Sequence, residues 1–92
     1  SKIVFSCDAG MGSSAMGASI LRARMRKAGL NVTVIHSAIN EIPDDADIVL
    51  THSSLTDRAR KSAPEARHIS VDDFLKSPVY DVLVDELKGQ QH

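Results

Sequence analysis

A second cysteine is missing from this chain, and so is any excess of positive charge or any long apolar run. Each absence narrows the function. One cysteine in 92 residues excludes an internal disulfide and a multi-cysteine zinc site, and fits a reducing compartment. A thiol redox enzyme would want a resolving cysteine, and none is there. The net charge of −1 argues against nucleic acid as the main partner. No apolar stretch approaches the ~20 residues of a membrane span, and no charged-then-apolar signal opens the chain.

What remains is ordinary for one small domain spanning residues 1–92. The 42% hydrophobic and 25% charged content suit a globular fold with a modest core. The start, two residues before the first apolar run, would suit a domain cut from a longer polypeptide and equally a free-standing small protein.

The one cysteine stands in the most informative stretch, Cys7-Asp8-Ala9-Gly10-Met11-Gly12-Ser13-Ser14. It follows the apolar run Ile3-Val4-Phe5 and precedes a helical pattern from about Ser13 to Ala28. Amides at a helix N-terminus lack intrahelical acceptors, and the helix dipole adds positive character there. Gly10 and Gly12 allow a turn in which successive amides converge on one point. Such a field favours a thiolate over a thiol. The stretch reads as a reactive Cys7 in a nest of phosphate size.

Continuous apolar runs predict buried parallel strands at Lys2–Ser6 and Asp47–Thr51, with shorter ones at Val32–Ile35 and His68–Val71. Met16, Ile20, Met25 and Ala28, widened by Leu21, predict the buried stripe of the first helix, stopped by Gly29. Residues 37–45 read as a loop with room for one helical turn. Ser54-Leu55-Thr56-Asp57 has capping-box spacing for a second helix ending before Pro64. Ser77-Pro78 reads as an N-cap and N1 proline for a last helix with Val79, Val82, Leu83 and Leu87 on one face. Four strands alternating with helices predict an α/β three-layer sandwich with a four-stranded parallel sheet. Ligands in such sheets sit at the carboxyl ends of the strands, where the strand order reverses. Cys7 ends strand one.

A thiolate among amides can take a phosphoryl group and hold it as phosphocysteine, with the amides of Asp8 to Ser14 and the hydroxyls of Ser13 and Ser14 meeting its charge. The loop resembles the phosphate loop of low-molecular-weight tyrosine phosphatases, where cysteine begins a similar turn. Those enzymes place an arginine six residues after the cysteine, and this chain has Ser13. They also use the acid of an Asp-Pro pair, which does not occur here. Without the bidentate clamp and the proton donor, the site suits donors with good leaving groups and hydrolyses its own intermediate poorly. A small cysteine-dependent phosphatase is thus the alternative to a relay.

The run from Ile3 through Cys7-Asp8-Ala9-Gly10-Met11-Gly12-Ser13-Ser14 to Ala18 resembles the active-site segment of the mannitol-type enzyme IIB domain. That domain belongs to the phosphoenolpyruvate-dependent sugar phosphotransferase system (PTS). Ser37-Ala38-Ile39-Asn40, Thr51-His52 and His68-Ile69-Ser70 also fit, so the resemblance covers nearly the whole chain. It implies a phosphotransferase in which Cys7 takes phosphate from a phosphohistidine of the IIA domain and passes it to a hexitol, such as mannitol, bound by the membrane IIC domain. It implies a phosphate loop of Asp8, Ala9, Gly10, Met11, Gly12, Ser13 and Ser14, no cofactor or metal, and a place on the cytoplasmic face of the membrane without insertion.

Other residues carry two readings each. Asp8 shapes the turn or faces the phosphate. Ser13 and Ser14 cap the helix, donate to phosphate, or do both. Arg22, Arg24, Arg26 and Lys27 lie too far along the helix to clamp the phosphate and read as a solvated face. His36 and His52 fall near strand ends on the active-site side, where either approaches the phosphate or serves at the rim or in packing, while His68 is expected to stand outside the chemistry. Met11, flanked by glycines, reads as a docking contact or as a group folded onto Leu55 or Ile39.

Overall fold

Apolar runs of three or four residues are short for a helix, and in this computed structural model they form the inner strands of one sheet. Residues 2–7, 13–75 and 78–89 are described, without the Ser13 side chain. Strand β1 (Lys2–Cys7) is followed by α1 (Ser13–Lys27), β2 (Thr33–Ala38), a 3-10 turn at Ile39–Glu41 and β3 (Ile48–His52). A second 3-10 turn at Ser53–Leu55 leads into α2 (Thr56–Ser62), then β4 (Arg67–Val71) and α3 (Val79–Gly89). The strands pair in parallel in the order β2-β1-β3-β4. The three-layer α/β sandwich expected from the sequence is the observed architecture.

Both central strands are buried on both faces, which explains why their sequences do not alternate. On one face Ile3, Phe5, Val34, Ile48 and Leu50 pack with Ala18, Leu21 and Met25 of α1 and Tyr80, Leu83 and Leu87 of α3. On the other, Val4 and Val49 pack with Ile42, Ala46 and Ala59, a thinner core under α2 and the β2–β3 connection. The chain runs from β1 outward to β2, then crosses back over β1 to β3. The strand order therefore reverses at β1, beside Cys7.

The buried stripe of α1 differs from the expected one. Met16 is 54% exposed, whereas Gly17 and Ala18 are buried. The ring of Phe5 and the hydroxyl of Tyr80 come so close that a Cβ on Gly17 would lie 2.8 Å from Phe5 Cε2 and 2.9 Å from Tyr80 Oη. Only the smallest residue lets the helix approach this closely, and Met16 is turned outward. In α3 the buried positions are Tyr80, Leu83 and Leu87, with Val82 56% exposed. Gly29 ends α1 at φ 77°, and its amide and that of Leu30 return to the carbonyls of Arg26 and Met25, at 3.0 and 2.9 Å. This is the two-bond Schellman closure that only a left-handed residue permits.

Strand β2 is longer than expected and takes in His36 and Ser37, because each residue from Thr33 to Ala38 finds a register partner on β1. The N-cap before α2 is also different. His52, not Ser54, caps the leading 3-10 turn, with its ring accepting from the Ser54 amide. The Ser77 cap and the tail 90–92 lie outside the described residues.

Candidate functional site

Strand β1 delivers Cys7 to the carboxyl edge of the sheet, level with Ala38 of β2. Helix α1 begins six residues later, so its first turn faces the same edge. Ser14, in that turn, is fully buried, and its Oγ lies 3.1 Å from Cys7 Sγ. The hydroxyl can accept from a thiol or donate to a thiolate. An anion brought to this point would lie at the positive end of the α1 dipole. Cys7 itself is half-buried.

The sequence-predicted pair of Cys7 and Ser14 is thus brought together. The expectations for Asp8, Ala9, Gly10, Met11 and Gly12, and for the Ser13 side chain, lie outside the described residues. Arg22 is turned away from the site and donates to the Val34 carbonyl, at 3.2 Å from Nε and 2.5 Å from Nη2. Arg24 pairs with Asp81 of α3. Neither serves a phosphate. His36 is exposed on β2 beside Phe5, below the level of Cys7. His68 Nε2 lies 2.6 Å from the Ala63 carbonyl, a structural contact behind α2.

His52 stands where β3 ends. Thr51 is registered with Ser6, so His52 comes next along β3 as Cys7 does along β1. Its Nδ1 accepts from the Ser54 amide at 3.2 Å and lies 2.8 Å from Ser54 Oγ. Since an amide can only donate, Nδ1 is the acceptor, and the neutral ring carries its proton on Nε2.

One arrangement escaped sequence reasoning. Ser37, Ser6, Thr51 and Ser70 are register partners across all four strands, forming a row of hydroxyls one position below the carboxyl edge. Ser6 Oγ is 3.4 Å from Ser37 Oγ, which donates to the Ala38 carbonyl at 3.0 Å. On the other side Thr56 is the hub. It accepts from Thr51 at 3.0 Å, lies 2.7 Å from Ser70 Oγ, and donates to the His52 carbonyl at 3.3 Å. With its one proton spent on His52, Thr56 must accept from Ser70, which fills both lone pairs and its donor. The start of α2 is thereby tied to β3 and β4 directly beneath the site. The available signal was that Ser6 and Thr51 each follow the apolar run of their strand.

Comparison with known proteins places the chain in a family. Residues 2–86 match the family model described as "PTS system, Lactose/Cellobiose specific IIB subunit". The chain belongs to the PTS IIB family. Among its relatives is the "PTS system mannitol-specific EIICB component" of Geobacillus stearothermophilus, 67% identical over 87 residues, covering 95% of this chain and 18% of that protein. Proteins of the same name from Bacillus subtilis and Halalkalibacterium halodurans are 63% and 61% identical, over 95% and 96% of this IIB chain and 18% and 19% of their own lengths. The IIB chain thus spans about a fifth of the length of these relatives. Among its described residues no helix is long and apolar enough to cross a membrane.

Proposed function

We propose that this IIB domain is of the mannitol type and works as a phosphoryl relay centred on Cys7. The observation that carries the reading is the Cys7–Ser14 contact of 3.1 Å at the strand-order reversal, within a chain whose relatives are named mannitol-specific EIICB components. In the first step the Cys7 thiolate attacks the phosphorus of a phosphohistidine on a IIA partner. An S–P bond forms, the N–P bond breaks, and its electron pair returns to the imidazole. In the second step a hexitol hydroxyl held by the IIC domain attacks phosphorus. The S–P bond breaks, the thiolate is regenerated, and the hydroxyl proton leaves to solvent or a nearby base.

The chemistry asks little of the protein beyond positioning and charge stabilisation. Ser14 and the amides of the loop from Asp8 to Ser14 would hold the phosphoryl oxygens. Ser13 in place of the phosphatase arginine, with no Asp-Pro acid in the chain, disfavours water as the acceptor. The domain would work at the cytoplasmic face of the membrane, joined to its IIC partner as the names of its relatives imply.

Mixing the chain with phosphorylated IIA protein and weighing it intact at neutral pH tests the proposal. A gain of one phosphate, lost in Cys7→Ser, is the expected result. No gain from a competent donor, with rapid release of phosphate from an aryl phosphate, would instead establish the phosphatase.

A further inference from the structure

The sheet register separates the histidines of the three strands that carry one. His36 is level with Phe5 and His68 with Val49, both below the carboxyl edge. His52 ends β3, one residue past Thr51, the partner of Ser6, and so stands level with Cys7 on the neighbouring strand. Adjacent strands run about 4.8 Å apart. Side chains also alternate between the two faces of a sheet. Val4 and Val49 enter the core beneath α2, whereas Ile3, Phe5, Ile48 and Leu50 enter the core beneath α1 and α3. By the same alternation Cys7 and His52 both leave the sheet on the α1 side, where Cys7 meets Ser14.

The His52 ring has one end fixed and one end open. Nδ1 faces Ser54, accepting from its amide at 3.2 Å with its hydroxyl 2.8 Å away. That contact holds the neutral ring in the tautomer that carries its proton on Nε2. Nε2 lies across the ring from Nδ1, so its N–H is directed away from Ser54. His52 is exposed, and among the described residues Nε2 meets no acceptor. A donor of set tautomer thus stands one strand spacing from the thiol.

We propose, building on the relay reading, that His52 Nε2–H donates to an oxygen of the phosphoryl group as it arrives on Cys7 and as it leaves. The bonds made and broken are those of the relay, and His52 keeps its proton throughout. Helix α1 packs over β1 and β2, whereas β3 lies on the opposite flank of β1. Ser14 and His52 therefore hold the phosphoryl group from two sides. A neutral donor suits a relay. It meets charge in both transfers without the bidentate grip of an arginine, which would keep the group on sulfur.

Two substitutions separate donation from capping. In His52→Asn the amide oxygen still reaches the Ser54 amide, as asparagine does at helix starts, but no N–H extends as far as Nε2. His52→Gln carries an N–H at about that reach and gives up the cap. Each chain is mixed with phosphorylated IIA protein of a mannitol system, and single-turnover transfer to Cys7 is followed by rapid quench over a range of donor concentrations. His52→Asn is expected to lower the rate at saturating donor about tenfold, the worth of one hydrogen bond to a charged group. Its half-saturating donor concentration and melting temperature should match the parent. His52→Gln should recover most of the lost rate. A parent-like rate in His52→Asn overturns the proposal, because His52 then only caps the turn, and the relay stands without it. A loss that His52→Gln shares in full also overturns it, as does one confined to the half-saturating concentration, the mark of a docking contact. If the parent chain takes no phosphate at all, the relay reading fails and this inference fails with it.

Discussion

Adding one methyl group at Gly17 sets two effects of opposite sign against each other. Alanine is the better helix former by about 0.8–1.0 kcal/mol. Its Cβ, however, would sit 2.8 Å from the Phe5 ring and 2.9 Å from the Tyr80 hydroxyl, and both neighbours are themselves fully buried. Overpacking of this kind costs about 1–3 kcal/mol, so the steric term wins. Gly17→Ala should lower the melting temperature, by about 4–8 °C for a net loss of about 1 kcal/mol in a domain of this size, as calorimetry would show. A rise in melting temperature would mean that α1 can lift from the sheet at little cost. Ser14 carries the second prediction at this scale. Ser14→Ala removes the hydroxyl from beside Cys7 Sγ and should slow phosphorylation of Cys7 about a hundredfold, the usual loss for one donor to developing charge. The quantity to measure is the single-turnover rate at saturating donor. The Cys7–Ser14 contact was legible in the sequence because the strand end and the helix start are close along the chain. The Thr51–Thr56–Ser70 hub was not, because sheet register brings Ser70 to Thr56 across 14 positions.

The elements were legible to different degrees, for physical reasons. Strands β1 and β3 stand out because central parallel strands must be apolar on both faces, and Ile3-Val4-Phe5 and Ile48-Val49-Leu50 are. The helix faces were harder to place. Hydropathy ranks Met16 above Gly17, but close packing against Phe5 selects for small size, so the buried stripe runs through Ser14, Gly17, Ala18, Leu21 and Met25. Val82 misled in the same way, since Tyr80 fills the place against Phe5, with ring centroids 5.8 Å apart. Helix α2 has the least apolar anchoring, with Ala59 its one fully buried hydrophobic residue. Its seven residues are too few to be stable alone, so the Thr56 hub must hold it. Thr56→Val keeps the shape but takes away the acceptor of the buried Thr51 hydroxyl. The expected loss is about 1–3 kcal/mol in denaturant unfolding, with faster amide exchange concentrated in α2. Uniform exchange across the chain would show that α2 does not depend on this tie.

At the scale of the whole molecule, the sheet divides two unequal cores, and the larger one is closed by Tyr80. Its hydroxyl donates to the Phe74 carbonyl at 2.5 Å, joining α3 to the turn after β4 while its ring packs on Phe5. Burial, with Asp73 adding to it and Arg24 opposing, pushes the Tyr80 phenol from its ordinary 10 up to about 12. The consequence for stability has a definite sign. Below pH 10 the phenol is protonated in both folded and unfolded chains, and the hydrogen bond is fully present. Between about pH 10 and 12 the unfolded chain releases this proton and the folded chain keeps it, so stability falls as pH rises through that window. Tyr80 is the one tyrosine and there is no tryptophan, so phenolate absorbance reports this group alone. Titration of the folded chain should give an ionisation displaced toward pH 12, and urea midpoints should fall between pH 10 and 12. Tyr80→Phe should be less stable at neutral pH, because it leaves the Phe74 carbonyl unpaired, by about 1–3 kcal/mol. Its urea midpoint should nevertheless fall less steeply over the alkaline window, so the two curves converge there. Parallel curves would mean that the alkaline loss comes from lysines at the surface, and that Tyr80 does not couple the larger core to pH.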